Sequence, residues 1–423
     1  MPKGAWQVSQ LGIGEWQRQA LERDKADPLA SFRPEFYRPE TGIYLDGNSL
    51  GLVSRRAESS LLAALDAWRR LGVGGWEAGD PSWFYLAETL GQMLTPLVGG
   101  QAGDLVLAGS TTVNLHQLIA TFYHPEGSRR LIVADPLNFP SDLYALQSQL
   151  TLHGQDASAL CLVPVGPDGL IDESDLLALF GPEVALVLLP SVLFRTGQLL
   201  DMARITERAR ELGIPIGWDL SHSAGVVPHR LDQLDPDFAV FCTYKYLNGG
   251  PGAPAALYLS PRHRHRQPAL WGWFGGDKAH QFDMSPSFTP ATGAGAFQIG
   301  SPHILSMAPL KGSLELLTEA GIERVRAKSL AVTGFLIDLA DDLLAPLGVS
   351  VATPRAEARR GGHVALRHPK AVQLVPALKA AGVVVDSRPP DIVRLCPSPL
   401  SNGFADVLEA VLRLKAAIEA PGW

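Results

Sequence analysis

Short apolar runs alternate with helical patterns of apolar residues through the middle of the chain. The runs have the length and the β-branched content of buried strands. They are DLVLAG (104–109), RLIVAD (130–135), ALCLVPV (159–165), VALVLLP (184–190), PIGWDL (215–220), FAVFCTY (238–244) and AALYLS (255–260). Between them, segments such as TTVNLHQLIATFY (111–123) and DMARITERARELG (201–213) repeat apolar residues at helical spacing. This alternation predicts an α/β protein with a mostly parallel, seven-stranded sheet that helices flank.

The two ends of the chain have different patterns. Residues 55–71 place Leu61, Leu65 and Trp68 on one face of a predicted helix. The tail predicts one long helix over about 310–346, short strands and a last helix, which is typical of a smaller α+β domain. We therefore expect three units: an N-terminal segment (1–54) that joins the small domain, a large domain (55–305) and a small C-terminal domain (306–423).

Composition narrows the class of protein. A chain of 423 residues with 46% hydrophobic content is long enough for two domains. Its net charge of -7 argues against a nucleic-acid partner. The longest apolar stretch contains Pro190 and is too short to span a membrane, and the first residues lack the apolar core of a secretory signal. Cys161, Cys242 and Cys396 lie far apart, so we expect a cytoplasmic protein with no metal site.

An acid and a lysine stand at the ends of two neighbouring predicted strands. Asp219 ends PIGWDL, His222 follows it, and Lys245 comes directly after FAVFCTY. Each residue alone is more typical of a turn, a loop or a surface. The carboxyl ends of strands in such sheets form ligand sites, so together they predict one cleft.

Other strand ends add polar and aromatic groups. Ser110, Thr111 and Thr112 open a helix, where free N–H groups favour phosphate, although ordinary capping explains them equally well. Phe139 and Asp142 follow the next strand. A lysine that can form an imine, an acid for a ring nitrogen, a phosphate site and a ring to stack on are what pyridoxal phosphate needs. Partial burial of Lys245 would favour the neutral amine, which is the reactive form.

The sequence around this lysine resembles that of the kynureninases, which are fold-type I pyridoxal-phosphate enzymes. The resemblance lies in WDLSHSAGVVPHRLDQLDPDFAVFCTYKYLNGGPGAPAALYLS (218–260) and extends over nearly the whole chain. The further matching strings are YLDGNSLGL (44–52), TTVNLHQLI (111–119), NFPSD (138–142), RTGQ (195–198), GWFG (272–275), GSPHIL (300–305) and IVRLCPSPL (392–400). The pairing of TYKYLNGG with GWFG is the most specific.

The resemblance implies a role for each matching residue. Lys245 would hold the cofactor and move protons, Asp219 would pair with the pyridine nitrogen, and Tyr244 would carry protons in later steps. The implied cofactor-binding residues are Thr111, Thr112, Phe139, Asp142, Asp219, His222, Tyr244, Lys245, Trp273 and Ser301. Trp273 and Ser301 would come from the other subunit of a homodimer.

The same resemblance implies the substrate. Arg394 would bind its carboxylate, and Ser49, Trp76 and Ser301 would line its site. The implied reaction is hydrolysis of L-kynurenine to anthranilate and L-alanine in tryptophan catabolism. Trp76 stands where family members that prefer 3-hydroxykynurenine have histidine, so we expect the hydroxylated compound to be the poorer substrate.

Three other classes of function remain open from the residues alone. An aminotransferase or a cysteine desulfurase would use the same lysine and acid, although neither Cys242 nor Cys396 has the setting of a loop nucleophile. A protein that only binds pyridoxal phosphate would not need Lys245. A nucleotide-dependent oxidoreductase is disfavoured because the glycine-rich stretches 99–104 and 249–254 do not match GxGxxG between a strand and a helix.

Overall fold

The computed structural model describes residues 11–40 and 42–420, so parts of the predicted units 1–54 and 306–423 lie outside the described residues. Its α-helices are α1 Ile13–Lys25, α2 Arg55–Leu71, α3 Gly75–Ala78, α4 Leu86–Val98, α5 Thr111–Phe122, α6 Pro140–Leu152, α7 Glu173–Ala178, α8 Met202–Glu211, α9 Leu231–Leu234, α10 Ile304–Ala320, α11 Ile322–Leu339, α12 Ala371–Ala380 and α13 Phe404–Glu419. The β-strands are β1 Ile43–Tyr44, β2 Leu105–Ala108, β3 Leu131–Ala134, β4 Leu160–Leu162, β5 Val184–Pro190, β6 Ile216–Asp219, β7 Phe238–Phe241, β8 Ala255–Leu259, β9 Ser350–Val351, β10 Val364–Arg367, β11 Val383–Val384, β12 Asp386–Arg388 and β13 Ile392–Leu395.

A seven-stranded sheet forms the centre of the larger unit. Its strand order is β2-β8-β7-β6-β5-β3-β4. All neighbours pair in parallel except β8, which runs antiparallel to both β2 and β7. The predicted α/β class with a mostly parallel seven-stranded sheet is therefore confirmed.

The strands of this sheet are apolar because they are buried. Every residue of β2, β5, β6, β7 and β8 is buried. Helix α4 packs on β2, α5 on β7 and β8, and α8 on β6. This packing leaves the carboxyl ends of β6 and β7 side by side, and those ends carry the candidate site.

The smaller unit has its own antiparallel sheet and its own core. The sheet has the order β12-β13-β10-β9, and helices α11, α12 and α13 pack around it. Helix α1 packs on α13, and Trp16 of α1 donates a hydrogen bond at 2.6 Å to Asp342, which follows α11. The N-terminal segment thus contributes to the second core. The larger core extends through α10 to Val325, past the predicted boundary at 305, and the division into domains stays a prediction.

The predicted single helix over about 310–346 is wrong. The structure has two helices, α10 and α11, separated at Gly321. Gly321 has a φ of 77° and its N–H bonds to the carbonyl of Leu317, which is a typical helix end at glycine. The break lets α10 pack against the larger core while the later part of α11 joins the smaller one.

Two kinds of feature are absent from the described residues. None of the helices in residues 11–40 and 42–420 is both long enough and apolar enough to cross a bilayer. Within the same ranges, His, Cys, Asp and Glu side chains form no group that could hold a metal ion.

Candidate active site

The candidate lysine and acid lie on adjacent parallel strands. β6 pairs with β7 so that Asp219 stands opposite Val240, and Lys245 follows β7 after a short turn. Asp219 is buried, and its Oδ1 accepts a hydrogen bond from the N–H of Ser221 at 2.7 Å. Lys245 Nζ lies 2.9 Å from Nε2 of His222. The structure therefore brings the three residues of the predicted cleft together.

His222 is a neutral hydrogen-bond acceptor for this lysine. Burial, and then the charge of Lys245, hold the pKa of His222 well below its usual value. A neutral imidazole that accepts at Nε2 carries its proton on Nδ1. That Nδ1 is buried and has no hydrogen-bond partner among the described residues. His222 is thus oriented by Lys245 and keeps one donor free.

Two further buried carboxyl groups surround Asp219. Asp142, in the first turn of α6, is 1% exposed, and burial followed by the charge of Asp219 raises its pKa. Asp135, at the end of β3, is fully buried, and burial raises its pKa to about 7. In the described chain, Asp142 Oδ2 and Asp135 Oδ2 lack hydrogen-bond partners. This cluster of acids favours a bound group that carries a positive charge or donates a proton.

A cavity of about 350 Å³ opens above these groups. It is lined by Asn48, Ser49, Ser110, Thr111, Thr112, Phe139, Ser141, Asp142, Asp219, Ser221, His222, Tyr244, Lys245, Ala253, Ala255 and Arg388. The N-terminus of α5 supplies the two threonines, and the Ser110 hydroxyl caps the helix by accepting from Val113 N–H. The free N–H groups of that first turn and the two hydroxyls suit a phosphate.

Two side chains complete the walls. Phe139 is 45% exposed, and its ring centroid lies 6.0 Å from Lys245 Nζ, so one face is available for a planar ligand. Burial raises the pKa of Tyr244, which therefore stays a neutral phenol. The carbonyl of Tyr244 accepts a hydrogen bond from Gly51 N–H at 2.7 Å, and this bond ties the segment after Ser49 to the lysine turn.

Arg394 lies next to the cavity but is already engaged. Its Nε donates to Asp386 at 2.7 Å, its Nη1 to the carbonyl of Phe194 at 2.8 Å, and its Nη2 to Ser49 Oγ at 3.3 Å. A second bond from Nη2 to Asp386 makes the pair bidentate. Although burial opposes it, the hydrogen bonds from Arg394 hold the pKa of Asp386 below its usual value.

The remaining predicted residues lie apart from this cavity in the same chain. Trp76 packs against Phe274, with ring centroids 5.7 Å apart, and Trp273 lies 6.3 Å from the same phenylalanine. Trp273 is 53% exposed, and Ser301 is also exposed. None of Trp76, Trp273 and Ser301 lines the cavity of Lys245.

Sequence reasoning missed several polar residues of the site, among them Asn48, Asp386 and Arg388. Asn48 and Arg388 line the cavity, and Asp386 bonds to Arg394. Asp386 stands directly opposite Arg394 on the paired strands β12 and β13. The available signal was the stretch DSRPPDIVRL (386–395), whose charged residues come together only when the strand register is known.

Solved structures show the class to which this architecture belongs. A cysteine desulfurase from Thermococcus onnurineus superposes with a TM-score of 0.77 at 19% identity, covering 89% of this chain and 95% of that one. The protein C-DES, solved with a glycine linked covalently to its pyridoxal-phosphate cofactor, superposes with a TM-score of 0.78 at 19% identity, covering 89% and 97%. At such identities the likeness shows the fold alone, and the fold is that of the fold-type I proteins.

Sequence comparison identifies the family within that class. Residues 325–414 match the family model described as the kynureninase C-terminal domain. A protein of Bacillus thuringiensis named kynureninase is 50% identical over 397 residues, which is 94% of this chain and 93% of that protein. A kynureninase of Geobacillus thermodenitrificans is 48% identical over 401 residues, or 95% and 94% of the two chains. The chain belongs to the kynureninase family.

Proposed function

We propose that this protein hydrolyses L-kynurenine to anthranilate and L-alanine with pyridoxal phosphate as its cofactor. The observation that carries the proposal is the cavity in which Lys245, His222 and Asp219 meet. Family membership supports it, because relatives at about half identity are named for action on kynurenine.

The residues present fit pyridoxal phosphate. Lys245 is positioned to hold the cofactor covalently, and Asp219, with Asp142 beside it, suits a protonated ring nitrogen. Thr111 and Thr112 at the start of α5 suit the phosphate. His222 Nδ1, with no partner in the described chain, offers a donor to an oxygen of the cofactor or the substrate.

When bound, the cofactor withdraws electrons from the carbon atoms next to the substrate amine. The amine of Lys245, when free, would act as the base that takes the proton from the substrate Cα, and His222 orients this amine. The carboxylate of Asp219 would stabilise a positive charge on the ring nitrogen of the cofactor throughout the reaction. Tyr244, a neutral phenol in the cavity wall, is the proton donor for the later steps, after water adds to the side-chain ketone and the Cβ–Cγ bond breaks.

The substrate carboxylate binds at the end of the cavity that contains Ser49. Arg394 is fixed there by Asp386, and its guanidinium reaches Ser49 Oγ. A guanidinium held in this way favours a planar carboxylate. Thr111, at the predicted phosphate site, lines the same cavity.

A second subunit completes the site. Trp76, Trp273 and Ser301 lie outside the Lys245 cavity of their own chain, and Trp273 is largely exposed. Helix α2 also exposes Leu62 and Trp68, each at 56%, which is unusual for apolar side chains that stay in contact with water. We infer a homodimer in which these three residues border the partner's cavity.

Trp76 favours the unhydroxylated substrate. Its ring packs against Trp83 and Phe274 and forms an apolar wall. A ring hydroxyl against that wall would lose its hydrogen bond to water, which costs about 1–3 kcal/mol and corresponds to tenfold or greater discrimination. We therefore expect kcat/KM for L-kynurenine to exceed that for 3-hydroxykynurenine.

A cysteine desulfurase is the alternative within the fold, and the structure disfavours it. That reaction needs an accessible cysteine nucleophile beside the cofactor. Cys242 and Cys396 are buried, and burial raises the pKa of Cys396 to about 12. None of the three cysteines lines the cavity.

The test is to mix the purified protein, loaded with pyridoxal phosphate, with L-kynurenine and to measure anthranilate and alanine. Equal amounts of both products are expected, and the same assay with 3-hydroxykynurenine gives the substrate preference. Alanine without anthranilate, or no product from a protein with a normal cofactor spectrum, would contradict the proposed reaction. A clear preference for 3-hydroxykynurenine would contradict the role of Trp76.

A further inference from the structure

The carboxylate end of the cavity contains two guanidinium groups rather than one. Arg388 lies on β12 two residues after Asp386, and Asp386 stands opposite Arg394 of β13. Side chains at alternate positions of a strand share a face, so the three charged groups lie together. Arg388 Nη2 lies 2.7 Å from Asp386 Oδ2 and forms an ion pair with it, and both arginines therefore share this carboxylate.

Arg394 has little capacity left for a ligand. Its side chain is 0% exposed, and each of its three nitrogen atoms already donates to Asp386, Phe194 or Ser49. The bidentate bond with Asp386 fixes the plane of the guanidinium. Arg394 is thus held rigidly at the back of the carboxylate end and is not among the residues that line the cavity, so it can offer the carboxylate only the second N–H of Nη1.

Arg388 differs in both respects. Its side chain is 30% exposed and lines the same cavity as Lys245. Besides the bond to Asp386, it donates from Nη1 to the carbonyl of Ser387 at 2.9 Å. A guanidinium has five N–H donors, so Nε and further terminal protons remain for a ligand. The ring of Phe194 lies 5.8 Å from its central carbon and holds the group in place.

Asn48 gives independent support for a polar ligand at this end. Its side chain is 0% exposed and lines the cavity beside Ser49. Neither its Oδ1 nor its Nδ2 has a hydrogen-bond partner in the part of the chain that the structure describes. A buried amide without partners costs free energy, so a bound ligand with polar oxygen atoms would satisfy it.

We propose that Arg388 is a second carboxylate-binding residue, which contacts the substrate carboxylate from the cavity side and makes the enzyme selective for substrates that carry this group. Asn48 supplies an amide donor to the same carboxylate, and Asp386 is a positioning residue that holds both guanidiniums. Asp46 is another acid at this end. Burial, and then the charge of Asp386, raise the pKa of Asp46 to about 6. The inference rests on the proposed function, because it assumes an amino-acid substrate.

The test compares Arg388→Gln with Arg388→Lys in the cofactor-loaded enzyme. Asp386 keeps its bidentate bond with Arg394 in both variants, so neither leaves a buried carboxylate unpaired. KM and kcat are measured for L-kynurenine, and an inhibition constant is measured for kynurenamine, the same molecule without its carboxylate. Arg208→Gln on α8, an exposed arginine paired with Glu211, is the matched control.

The expected result separates a binding role from a structural one. Arg388→Gln should raise KM for L-kynurenine on the order of 10- to 100-fold with little change in kcat, because one charge-assisted contact is lost. Kynurenamine inhibition should stay unchanged, Arg388→Lys should recover part of the loss, and Arg208→Gln should match the wild type.

Three outcomes would overturn the inference. An unchanged KM in Arg388→Gln would show that Arg388 does not contact the carboxylate. Equal weakening of kynurenamine and L-kynurenine would show a structural role only. If the wild type forms no anthranilate, the proposed function fails together with this inference. If the wild type turns over normally and the variant gives an unchanged KM or equal weakening of both compounds, only this inference fails.

Discussion

Asp135 shows how a single buried side chain couples the stability of the protein to pH. It is fully buried, one oxygen accepts from Leu137 N–H at 2.9 Å, and the other has no partner among the described residues. Burial raises its pKa from 3.8 to about 7. The folded protein therefore binds a proton more tightly than the unfolded chain, and the stability that this proton provides is lost as the pH rises through about 7.

Asp135→Asn should remove this loss. The amide oxygen can still accept from Leu137 N–H, and no charge is forced into the core at high pH. We expect the free energy of unfolding of the variant, relative to the wild type, to rise by about 3 kcal/mol between pH 5 and pH 8. Denaturant unfolding at both pH values measures it.

The control for this prediction is Asp156→Asn. Asp156 is exposed, and its hydrogen bond with Ser158 lowers its pKa, so both states are ionised above pH 5. The difference in free energy of unfolding between Asp156→Asn and the wild type should be the same at pH 5 and pH 8. A flat difference for Asp135→Asn as well would show that Asp135 is ionised in the folded protein at pH 5.

At the same scale, the sequence predicted site residues at strand ends and missed those that depend on register. Asp219 and Lys245 could be placed because apolar strands point to their own carboxyl ends. Asp386 and Arg388 could not be placed in this way, since they come close to Arg394 only through the antiparallel pairing of two short strands. A shift of one residue in that pairing would turn both side chains away.

At the scale of elements, the helices α2 and α10 approach each other at a glycine. A Cβ at Gly312 of α10 would lie 2.2 Å from the carbonyl oxygen of Arg56 and 2.7 Å from Ala57 N. Backbone atoms of α2 cannot move aside as a flexible side chain could. This close contact fixes the position of α2, which precedes the short helix α3 that contains Trp76.

Gly312→Ala should therefore destabilise the protein by about 2 kcal/mol or more, because the two backbones must separate. Gly334→Ala is the matched control, since Gly334 also lies within a helix but its added Cβ would meet only the end of Arg360 at 3.5 Å. That variant should be neutral or stabilised by about 0.5–1 kcal/mol. Thermal unfolding of both proteins decides the prediction. Equal stability of the two variants would contradict it.

The elements themselves followed from the sequence except where glycine and tertiary packing decided them. Apolar runs predicted every strand of the large sheet, and five of its seven strands are buried at every residue. The apolar pattern of 310–346 continued through Gly321 and so hid the boundary between α10 and α11. Helical periodicity does not show which of two cores a helix faces.

At the scale of the whole molecule, the proposed dimer explains apolar residues that the single chain leaves in water. Trp68 of α2 is 56% exposed and Trp273 is 53% exposed. The predicted apolar face of α2 includes Leu61 and Leu65, which are also exposed rather than part of either core. A second copy of the chain would cover such a face and bring Trp273 to the partner's cavity.

Mixing two inactive variants tests whether the site is shared. Lys245→Ala removes the lysine of its own cavity, and Trp273→Ala removes the residue proposed to act in the partner's cavity; each variant alone should lose most activity. After unfolding and refolding together in equal amounts, half of the dimers are mixed, and each mixed dimer has one intact site if Trp273 acts across the interface. Activity should then return to about a quarter of the wild-type value.

If Trp273 acts within its own chain, every site carries one defect and no activity returns. A mixture of Lys245→Ala with wild type, carried through the same refolding, controls for the yield, because it retains activity in either case.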